Sequence, residues 1–266
     1  MLSVVIITKN EADHIARCLE SISWADEIIV LDSGSEDETV AICRQYTDKV
    51  YETDWPGFGI QKQRAVDKAS GDWILSIDAD EVVTPELRSE IEKALRQEHY
   101  NGYEIPRLSS YCGKQIRHGG WWPDYVLRLF RRDCGQFTDS VVHERIIVQG
   151  QIGQLTLPLL HDAFVNLDEV LHKVNCYSTL GAALLYQRGV RSSLSKAILK
   201  AFWTFIRTYW LKAAILDGRQ GLMLSISNAE GTYYKYLKLL ELQNRQSVAS
   251  VPDRLRHFRH LWQSHK

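Results

Sequence analysis

The chain has 266 residues, of which 45% are hydrophobic and 24% charged, and its formal net charge is −1. This length suits one large α/β domain or a core domain with a helical appendage. The near-neutral charge argues against a nucleic-acid partner, since such proteins carry a basic surface. Five cysteines without a C-x-x-C pair argue against a disulfide framework or a structural zinc site and favour a reducing cytoplasm. The opening apolar run is short and has no basic segment before it, so we expect no secretory signal.

The first 95 residues alternate between strand-like and helix-like patterns. Short apolar runs rich in β-branched residues predict buried strands, and apolar residues at helical spacing predict helices between them. The alternation predicts right-handed βαβ units and a doubly wound sheet. The predicted strands cover residues 2–7, 27–31, about 50 and 73–77, and the predicted helices follow residues 11 and 38, cover 60–70 and begin near 84.

Three segments carry helix-start signals. Thr8 and Glu11 have the spacing of a capping box, and Ser35 with Glu38 has the same spacing. The segment 84–86 combines a capping threonine, a proline suited to the first helical position and an acid near the positive end of the helix dipole.

The pattern changes after residue 100. Alternating residues at 125–131 and a short apolar run at 145–148 predict mixed or antiparallel strands that close the sheet. From Leu167 onward helical patterns dominate, and no uncharged apolar stretch reaches the roughly 20 residues that span a bilayer. The predicted domains are a catalytic domain at 1–165, a helical, basic amphipathic region at 166–245 and a polar tail at 246–266.

Polar side chains follow three of the predicted strands, at Thr8 to Glu11, Asp32 to Ser35 and Asp78 to Glu81. Ligands of open parallel sheets gather beyond the carboxyl ends of the strands, so we expect these segments to surround one binding site. Asp78-Ala79-Asp80 is the most specific of them, because one carboxylate can bind Mg²⁺ or Mn²⁺ with substrate phosphates while the other takes a ribose hydroxyl. An acidic turn that caps a helix is the alternative interpretation.

Three motifs make the chain resemble glycosyltransferase family 2, whose members have the GT-A fold, a Rossmann-like mixed sheet flanked by helices. The motifs are V-V-I-I-T-K-N-E, I-I-V-L-D-S-G-S-E-D-E-T and A-S-G-D-W-I-L-S-I-D-A-D-E. The resemblance covers roughly residues 1–165 and implies a nucleotide-sugar donor, a UDP-sugar, with a divalent metal ion bound by Asp80. The nucleotide-sugar contacts that it implies are Thr8, Asn10, Glu11, Asp32, Gln61 and Asp78.

An inverting transfer also needs a general base for the acceptor hydroxyl. The resemblance implies an acid after a basic strand in the second half, and V-H-E at 142–144 follows the basic run at 127–132. We therefore predict Glu144 as the base, with Asp124 as its rival. His161 follows another predicted strand, and the GT-A pattern implies that it reaches the metal or the diphosphate. A buried histidine bonded to the backbone is the alternative.

The segment from Gly119 to Pro123 predicts a loop that carries two tryptophans. Sugar rings present apolar C–H faces that pack on indole rings, so Trp121 and Trp122 are candidates for an acceptor subsite. Buried tryptophans that anchor the loop are the alternative, and the sequence leaves this choice open.

Nine Lys or Arg residues stand against two acids between Arg188 and Lys238, with aromatic residues interleaved. This pattern suits an anionic membrane surface, and it suits equally well helices that pack apolar faces on a core and keep lysines in solvent. The region resembles that of family members that glucosylate the lipopolysaccharide core. That resemblance implies an enzyme that is peripheral on the cytoplasmic face of the bacterial inner membrane.

The residues and the resemblance together predict an inverting glycosyltransferase that moves a hexose, glucose from UDP-glucose, to a lipid-linked saccharide such as the lipopolysaccharide inner core. The closest alternative is a polyprenyl-phosphate or other cell-envelope polysaccharide glycosyltransferase, which often carries transmembrane helices. A sugar-phosphate nucleotidyltransferase would show a Gly- and Arg/Lys-rich loop after the first strand, where this chain has T-K-N-E-A-D-H. A non-catalytic carbohydrate- or membrane-binding protein would have lost the acids that are retained here.

Overall fold

The structure, a computed structural model, describes residues 1–138 and 145–244 and confirms the predicted α/β class. A ten-stranded mixed sheet is accompanied by helices, and two short strands form a separate ribbon. The strands are β1 Leu2–Thr8, β2 Glu27–Asp32, β3 Val50–Glu52, β4 Trp73–Ser76, β5 Glu81–Val83, β6 Gly102–Tyr111, β7 Lys114–Gln115, β8 Asp124–Arg131, β9 Gly135–Phe137, β10 Ile146–Val148, β11 Ile152–Gln154 and β12 Leu159–Phe164. The helices are α1 Ala12–Ser21, α2 Thr39–Cys43, α3 Phe58–Asp67, α4 Pro85–Ala94, α5 Leu167–Gln187, α6 Leu194–Ile206 and α7 Gly218–Asn244.

The sheet has a parallel part and an antiparallel part. Its order is β3-β2-β1-β4-β8-β6-β12-β5, and β7 and β11 also pair with β6. β1 runs parallel to β2 and β4, and β2 runs parallel to β3, as the βαβ alternation predicts. β8 is antiparallel to both β4 and β6, so the predicted antiparallel closure of the sheet is confirmed.

β1 lies at the centre of the parallel part and is buried along its whole length. Successive side chains of a strand point to opposite faces. Val4 and Ile6 accordingly join the hydrophobic cluster that contains residues of α1, whereas Val5 and Ile7 join the cluster that contains residues of α3. Helices therefore cover both faces of β1, which explains why its sequence is continuously apolar.

A glycine is required in the turn just before β4. A Cβ atom at Gly71 would lie 2.6 Å from Ser3 Oγ and 2.9 Å from the Met1 carbonyl oxygen. The Gly71 N–H also donates a hydrogen bond to Ser3 Oγ at 2.9 Å. Because only a residue without a side chain fits this close approach to β1, the motif A-S-G-D-W needs its glycine.

Helices begin after Glu11 and Glu38 as predicted, but the two capping boxes predicted for them are wrong. Neither N-cap residue, Glu11 of α1 or Glu38 of α2, makes a capping hydrogen bond with its side chain. Thr8 instead ends β1, and the Ser35 hydroxyl donates to the Asp32 carboxylate in a loop. The third signal is confirmed, because Thr84 Oγ1 accepts a hydrogen bond from the Leu87 N–H at 3.2 Å at the start of α4.

The described residues form two compact units, one of Met1–Arg107 with Asp124–His161 and the other of Leu108–Pro123 with residues 162–244. The second unit thus includes a loop segment that lies within the predicted catalytic domain at 1–165. The division into a catalytic and a helical, basic region stays a prediction. The predicted polar tail at 246–266 lies outside the described residues.

The second unit is built on α5, α6 and α7. The buried Asp217 precedes α7 and accepts a hydrogen bond from the His118 N–H at 2.8 Å, which ties the segment 108–123 to the helices. Lys238 of α7 donates to the Asn175 carbonyl oxygen at 2.9 Å and so joins α7 to α5. None of the described helices has the combination of length and apolar character that crossing a membrane requires.

Candidate active site

The carboxyl ends of β1, β2 and β4 lie at one edge of the parallel part of the sheet. Thr8 and Asp32 are register partners at the ends of β1 and β2. The Ile77 N–H donates to the Val5 carbonyl oxygen at 3.2 Å, which places the start of the segment Asp78–Glu81 beside the last residues of β1. All three polar segments predicted from the sequence therefore begin at the same sheet edge.

The loops that follow β1 and β2 are bonded to each other. The Asn10 N–H donates to Ser35 Oγ, and Asn10 Oδ1 accepts from the Glu36 N–H, both at 2.8 Å. The Glu11 N–H donates to Thr39 Oγ1 at 2.8 Å. Asn10 has a φ of 53°, a left-handed conformation that asparagine tolerates better than most residues. These bonds fix both loops as one rigid surface.

Asp32 shapes the second of these loops. Its Oδ2 accepts hydrogen bonds from the Gly34 N–H at 2.9 Å and the Ser35 N–H at 2.8 Å. Asp32 is 1% exposed. Part of this carboxylate therefore holds the turn itself, which is the usual use of an aspartate at the start of a turn.

Gln61 of α3 is fully buried and bonds to the same region. Its Nε2 donates to Ser33 Oγ at 3.1 Å and to Thr53 Oγ1 at 2.5 Å. The side chain thereby joins α3 to the segments that follow β2 and β3. A residue predicted as a nucleotide contact thus also supports the loops around it.

One buried oxygen at this edge has no partner within the described part of the chain. Thr8 Oγ1 is buried and forms no hydrogen bond there. Leaving a buried hydroxyl unsatisfied costs about 1–3 kcal/mol. The end of β1 therefore presents a polar atom that a ligand can satisfy.

The segment Asp78-Ala79-Asp80-Glu81 forms a tight turn that is closed by its own last residue. The Glu81 N–H donates to the Asp78 carbonyl oxygen at 3.0 Å, and the Glu81 carboxylate accepts from the Asp78 N–H at 2.9 Å. Glu81 and Ala79 are buried, at 0% and 4% exposure. Glu81 therefore fixes the backbone from which both aspartates project.

Two cations hold the Asp78 carboxylate. Lys62 Nζ of α3 lies 2.9 Å from Asp78 Oδ1, and the Arg128 guanidinium of β8 contacts Asp78 Oδ2. Both cationic side chains are almost fully buried, at 6% and 8% exposure. Arg128 Nη2 also donates to Glu81 Oε1 at 2.6 Å. One guanidinium thus joins the first aspartate of the D-x-D segment to the glutamate that closes its turn.

The same network extends to β6 and the start of β8. Arg107 Nη1 lies 3.8 Å from Glu81 Oε1. Asp124 Oδ2 accepts hydrogen bonds from Arg107 Nε at 3.0 Å and from Arg107 Nη2 at 2.7 Å. Asp124, one of the two predicted bases, therefore has one carboxylate oxygen engaged by an arginine.

Charge pairing sets the protonation of these groups. Burial opposes ionisation of Asp78, but Arg128 and Lys62 outweigh it and hold the pKa of this carboxyl well below its usual range. Burial, with the nearby negative charge of Asp78, raises the pKa of Glu81 although Arg128 acts in the opposite direction. The two acids raise the pKa of Arg128 against its burial. Asp78 is therefore a carboxylate at neutral pH.

Asp80 and His161 come together at the predicted metal position. His161 Nε2 lies 3.4 Å from Asp80 Oδ2, and both side chains are partly exposed. β12 pairs with β5 in a register that sets His161 opposite Glu81, next to Asp80 in the chain. A carboxylate and an imidazole at this separation fit the donor set of a hard divalent ion that also takes phosphate oxygens. Across residues 1–138 and 145–244, no group of three or more His, Cys, Asp or Glu side chains is arranged around a common metal position.

The structure locates all but one of the predicted site residues. Glu144, the predicted base, lies outside the described residues. Asp124 lies at the start of β8 and is bonded to Arg107. The predicted residues at or bonded to the carboxyl edge of the sheet are Thr8, Asn10, Glu11, Asp32, Gln61, Asp78, Asp80 and His161.

Lys62, Arg128 and Arg107 form part of the site but were not predicted as such. Lys62 adjoins the predicted Gln61, and nothing in its helical pattern distinguishes a buried lysine from an exposed one. Arg128 belongs to the basic run at 127–132, and nothing in that run distinguishes a buried arginine from an exposed one.

The chain is similar in sequence to known glycosyltransferases. The sequence profile described as glycosyl transferase family 2 matches residues 3–149, more than half of the chain. A lipopolysaccharide core biosynthesis glycosyltransferase, LpsC, from Rhizobium meliloti is 32% identical, and the match covers 95% of this chain and 95% of that protein. An uncharacterized glycosyltransferase from Rickettsia typhi is 30% identical, with 94% of this chain and 90% of that protein covered.

Solved structures show more distant likenesses. S. aureus TarS 1–349 in complex with UDP-GlcNAc is 13% identical over 92% of each chain, with a TM-score of 0.46. Glucosyl-3-phosphoglycerate synthase from Mycobacterium tuberculosis, in complex with Mn²⁺, UDP and phosphoglyceric acid, is 21% identical, with 73% of this chain and 80% of that chain covered and a TM-score of 0.45.

Replacement of Arg128 tests the buried network. In Arg128→Met the carboxylates of Asp78 and Glu81 lose their shared cation, and we expect the free energy of unfolding to fall by about 3–5 kcal/mol. Arg44→Met removes an exposed pair with Glu52 and is expected to cost less than about 1 kcal/mol. Urea denaturation of both variants measures the difference. Equal losses in the two variants would contradict the role assigned to Arg128.

Proposed function

This chain belongs to glycosyl transferase family 2, and from that premise we propose an inverting, metal-dependent transfer of glucose from UDP-glucose to a lipid-linked saccharide such as the lipopolysaccharide inner core. The observation that carries the proposal is the arrangement of Asp78, Asp80 and His161 at the sheet edge. A nucleotide-diphosphate sugar requires such a set: ligands for the ion that accompanies its diphosphate, beside an ionised carboxylate that accepts a ribose hydroxyl.

Asp80 and His161 would hold Mg²⁺ or Mn²⁺. Such ions are often bound by one or two protein groups and complete their coordination with substrate phosphates, and Mn²⁺ also accepts imidazole. The bound ion supplies charge neutralisation for the departing diphosphate. Lys62 and Arg128 keep Asp78 ionised and oriented beside that position.

The bonded loops after β1 and β2 form the proposed nucleotide end of the site. Their rigidity lowers the entropy lost when a ligand binds, because few groups remain to be ordered. The unsatisfied Thr8 oxygen supports a ligand contact there. The residues to which we assign nucleotide-sugar contacts are Thr8, Asn10, Glu11, Asp32, Gln61 and Asp78.

The transfer is a displacement at the anomeric carbon. A base removes the proton of the acceptor hydroxyl while the acceptor oxygen bonds to the anomeric carbon and the bond to the UDP oxygen breaks. We assign the base to Glu144. Asp124 is the rival, and the two hydrogen bonds that its Oδ2 accepts from Arg107 disfavour it, because that oxygen already has a fixed partner.

The acceptor assignment rests on relatives and on charge. The Rhizobium meliloti relative, named for lipopolysaccharide core biosynthesis, is similar along almost the whole chain. An acceptor anchored in lipid requires the enzyme to work at a membrane surface. We therefore propose that the protein is peripheral on the cytoplasmic face of the bacterial inner membrane.

The surface of α6 and the residues after it supports this location. From Arg188 to Leu216 the sequence has six Lys or Arg residues and no acid. Apolar side chains surrounded by cations suit a bilayer interface with anionic headgroups, whereas helices that bury their apolar faces would keep such side chains covered. Eight large apolar side chains of this surface are 52–67% exposed: Leu194, Ile198, Leu199, Phe202, Trp203, Trp210, Leu211 and Leu216.

Removal of the Asp80 carboxylate tests the donor site. We expect Asp80→Ala to lower metal-dependent UDP release from UDP-glucose on the order of 10³-fold, because a catalytic metal supplies several kcal/mol of transition-state stabilisation. Asp133→Ala, at a side chain that is 88% exposed, should leave the rate unchanged. Circular dichroism checks that both variants fold. Wild-type turnover in Asp80→Ala would rule out the metal role.

Two isosteric variants separate the rival bases. Glu144→Gln should lower the chemical step by about 10²–10⁴-fold, the usual contribution of a positioned base, while UDP-glucose binding is spared. Asp124→Asn should have a smaller effect, because its partner Arg107 marks it as a supporting group. Single-turnover transfer and donor titration measure the two steps. The assignment moves to Asp124 if only Asp124→Asn loses the chemical step.

Charge reversal tests the membrane surface. A triple change to Glu at Lys196, Lys200 and Arg207 should weaken co-sedimentation with vesicles of phosphatidylglycerol and phosphatidylethanolamine by about 100-fold, since each basic residue near such a surface contributes about 1 kcal/mol. The matched control changes three exposed basic residues of the first unit to Glu, and it should bind like the wild type. Equal vesicle binding by the wild type and both variants would contradict the membrane surface and would favour helices that pack their apolar faces on a core. The control positions are Arg44, Lys68 and Lys93.

A further inference from the structure

The second unit contains a cavity of about 250 Å³, which is lined by α5, α7 and an aromatic wall. The wall consists of Tyr111, Trp121 and Phe164, whose ring centroids lie 5.7–6.1 Å apart. The Tyr111 hydroxyl shares a hydrogen bond of 2.9 Å with Ser227 Oγ of α7, which fixes this ring. Trp121 is one of the two tryptophans that the sequence offers as a sugar platform.

A glycine in the middle of α7 leaves this cavity open. Glycine lowers the stability of a helix relative to alanine, so an internal glycine calls for a reason. At Gly221 the reason is close packing, because a Cβ atom there would lie 1.8 Å from the Ala214 carbonyl oxygen. At Gly231 a Cβ atom would meet only ordinary contacts, the nearest described atom being Val174 Cγ1 at 3.9 Å. Gly231 lines the cavity, and the space that a larger side chain would occupy there is part of the cavity.

Gly181 of α5 makes room for the side chain of Lys235, one of the basic residues that line the cavity. A Cβ atom at Gly181 of α5 would lie 2.8 Å from Lys235 Cδ, so the lysine stem lies directly against the α5 backbone. Lys235 and Lys173 both line the cavity, and none of its lining residues is acidic. Lys173 Nζ is oriented by the Ala163 carbonyl oxygen at 2.9 Å. The cavity is therefore positively charged.

The remaining lining combines apolar side chains with neutral hydrogen-bonding groups. Val170, Val174 and Leu224 supply the apolar part, and Asn228 and Thr232 add an amide and a hydroxyl. Small-molecule sites have this composition: apolar walls with a few convergent polar groups that fix orientation.

We propose that this cavity binds one anionic sugar ring of the acceptor saccharide, a sugar acid or a sugar phosphate. The aromatic wall packs against the apolar C–H face of the ring, the amide and hydroxyl groups bind its hydroxyls, and Lys173 and Lys235 bind its carboxylate or phosphate. A lipid chain fits less well, because it would place methylene groups against two ammonium groups. That this sugar belongs to the acceptor rests on the proposed function, but the chemistry of the ligand that the cavity binds does not depend on the transfer reaction.

Saturation-transfer NMR on the full chain tests the proposal with three probes: glucuronate, glucose 6-phosphate and glucose. Excess UDP and Mg²⁺ occupy the donor site, so that binding of glucose 6-phosphate at that site does not contribute to the signal. We expect at least one anionic sugar to bind at least about 10-fold more tightly than glucose, by the charge of the two lysines. Binding of glucuronate alone assigns a sugar acid, and binding of glucose 6-phosphate alone assigns a sugar phosphate.

Variants of the cavity locate the binding. Gly231→Leu fills the open volume and Lys235→Gln removes one cation, and each should weaken the anionic probe at least about 10-fold. Gly231→Ala adds one methyl group without a clash and should fold and bind nearly as the wild type does, and Lys93→Gln on α4 should leave binding unchanged.

Three results would overturn the proposal: equal binding of glucose and the anionic sugars, no binding of any probe, or unchanged binding in Gly231→Leu. UDP binding is measured separately by calorimetry in each variant. If the wild type does not bind UDP, the result counts against the proposed function. If it binds UDP but none of the sugars, the result counts against the cavity alone.

Discussion

The candidate site depends on a chain of alternating charges that runs from a helix through the D-x-D turn to two antiparallel strands. Each buried carboxylate in it lies between cations, and each buried cation contacts a carboxylate, so no isolated charge is left in the low-dielectric interior. Removing one group from this series of ion pairs would leave its neighbours unpaired, which is far more costly than losing a surface pair. The chain consists of Lys62, Asp78, Arg128, Glu81, Arg107 and Asp124.

This network connects the fold to the chemistry. The parallel strands bring polar segments to one edge, but strand ends alone do not orient a carboxylate. Glu81 closes the turn through the Asp78 N–H, and Arg128 holds both acids from the neighbouring antiparallel strand β8. The antiparallel half of the sheet therefore does more than close the fold: it supplies the cation that fixes the donor edge and, through β12, the histidine beside Asp80.

Much of the fold follows from the sequence, because strands buried on both faces appear as continuous apolar runs such as 2–7. The position of Asp78 and Asp80 was also predictable, because polar residues directly after such a run must lie at a strand end. The capping signals before α1 and α2 failed because Thr8 ends β1 and Ser35 Oγ accepts a hydrogen bond from the Asn10 N–H, 25 residues away in the chain, a partner that local spacing does not encode. Burial of Lys62 and Arg128 was not predictable either, since their acidic partners are brought near only by the tertiary fold, in the case of Arg128 by the pairing of β8 with β4.

The most direct test of the account is a crystal structure of the protein with UDP and Mn²⁺. We expect an ion bound by Asp80 and His161 that also contacts the diphosphate. We also expect Asp78 to lie at the ribose, still bonded to Lys62 and Arg128. A nucleotide bound elsewhere, or Asp80 turned away from any ligand while the ion pairs persist, would contradict the assignment of this edge as the donor site.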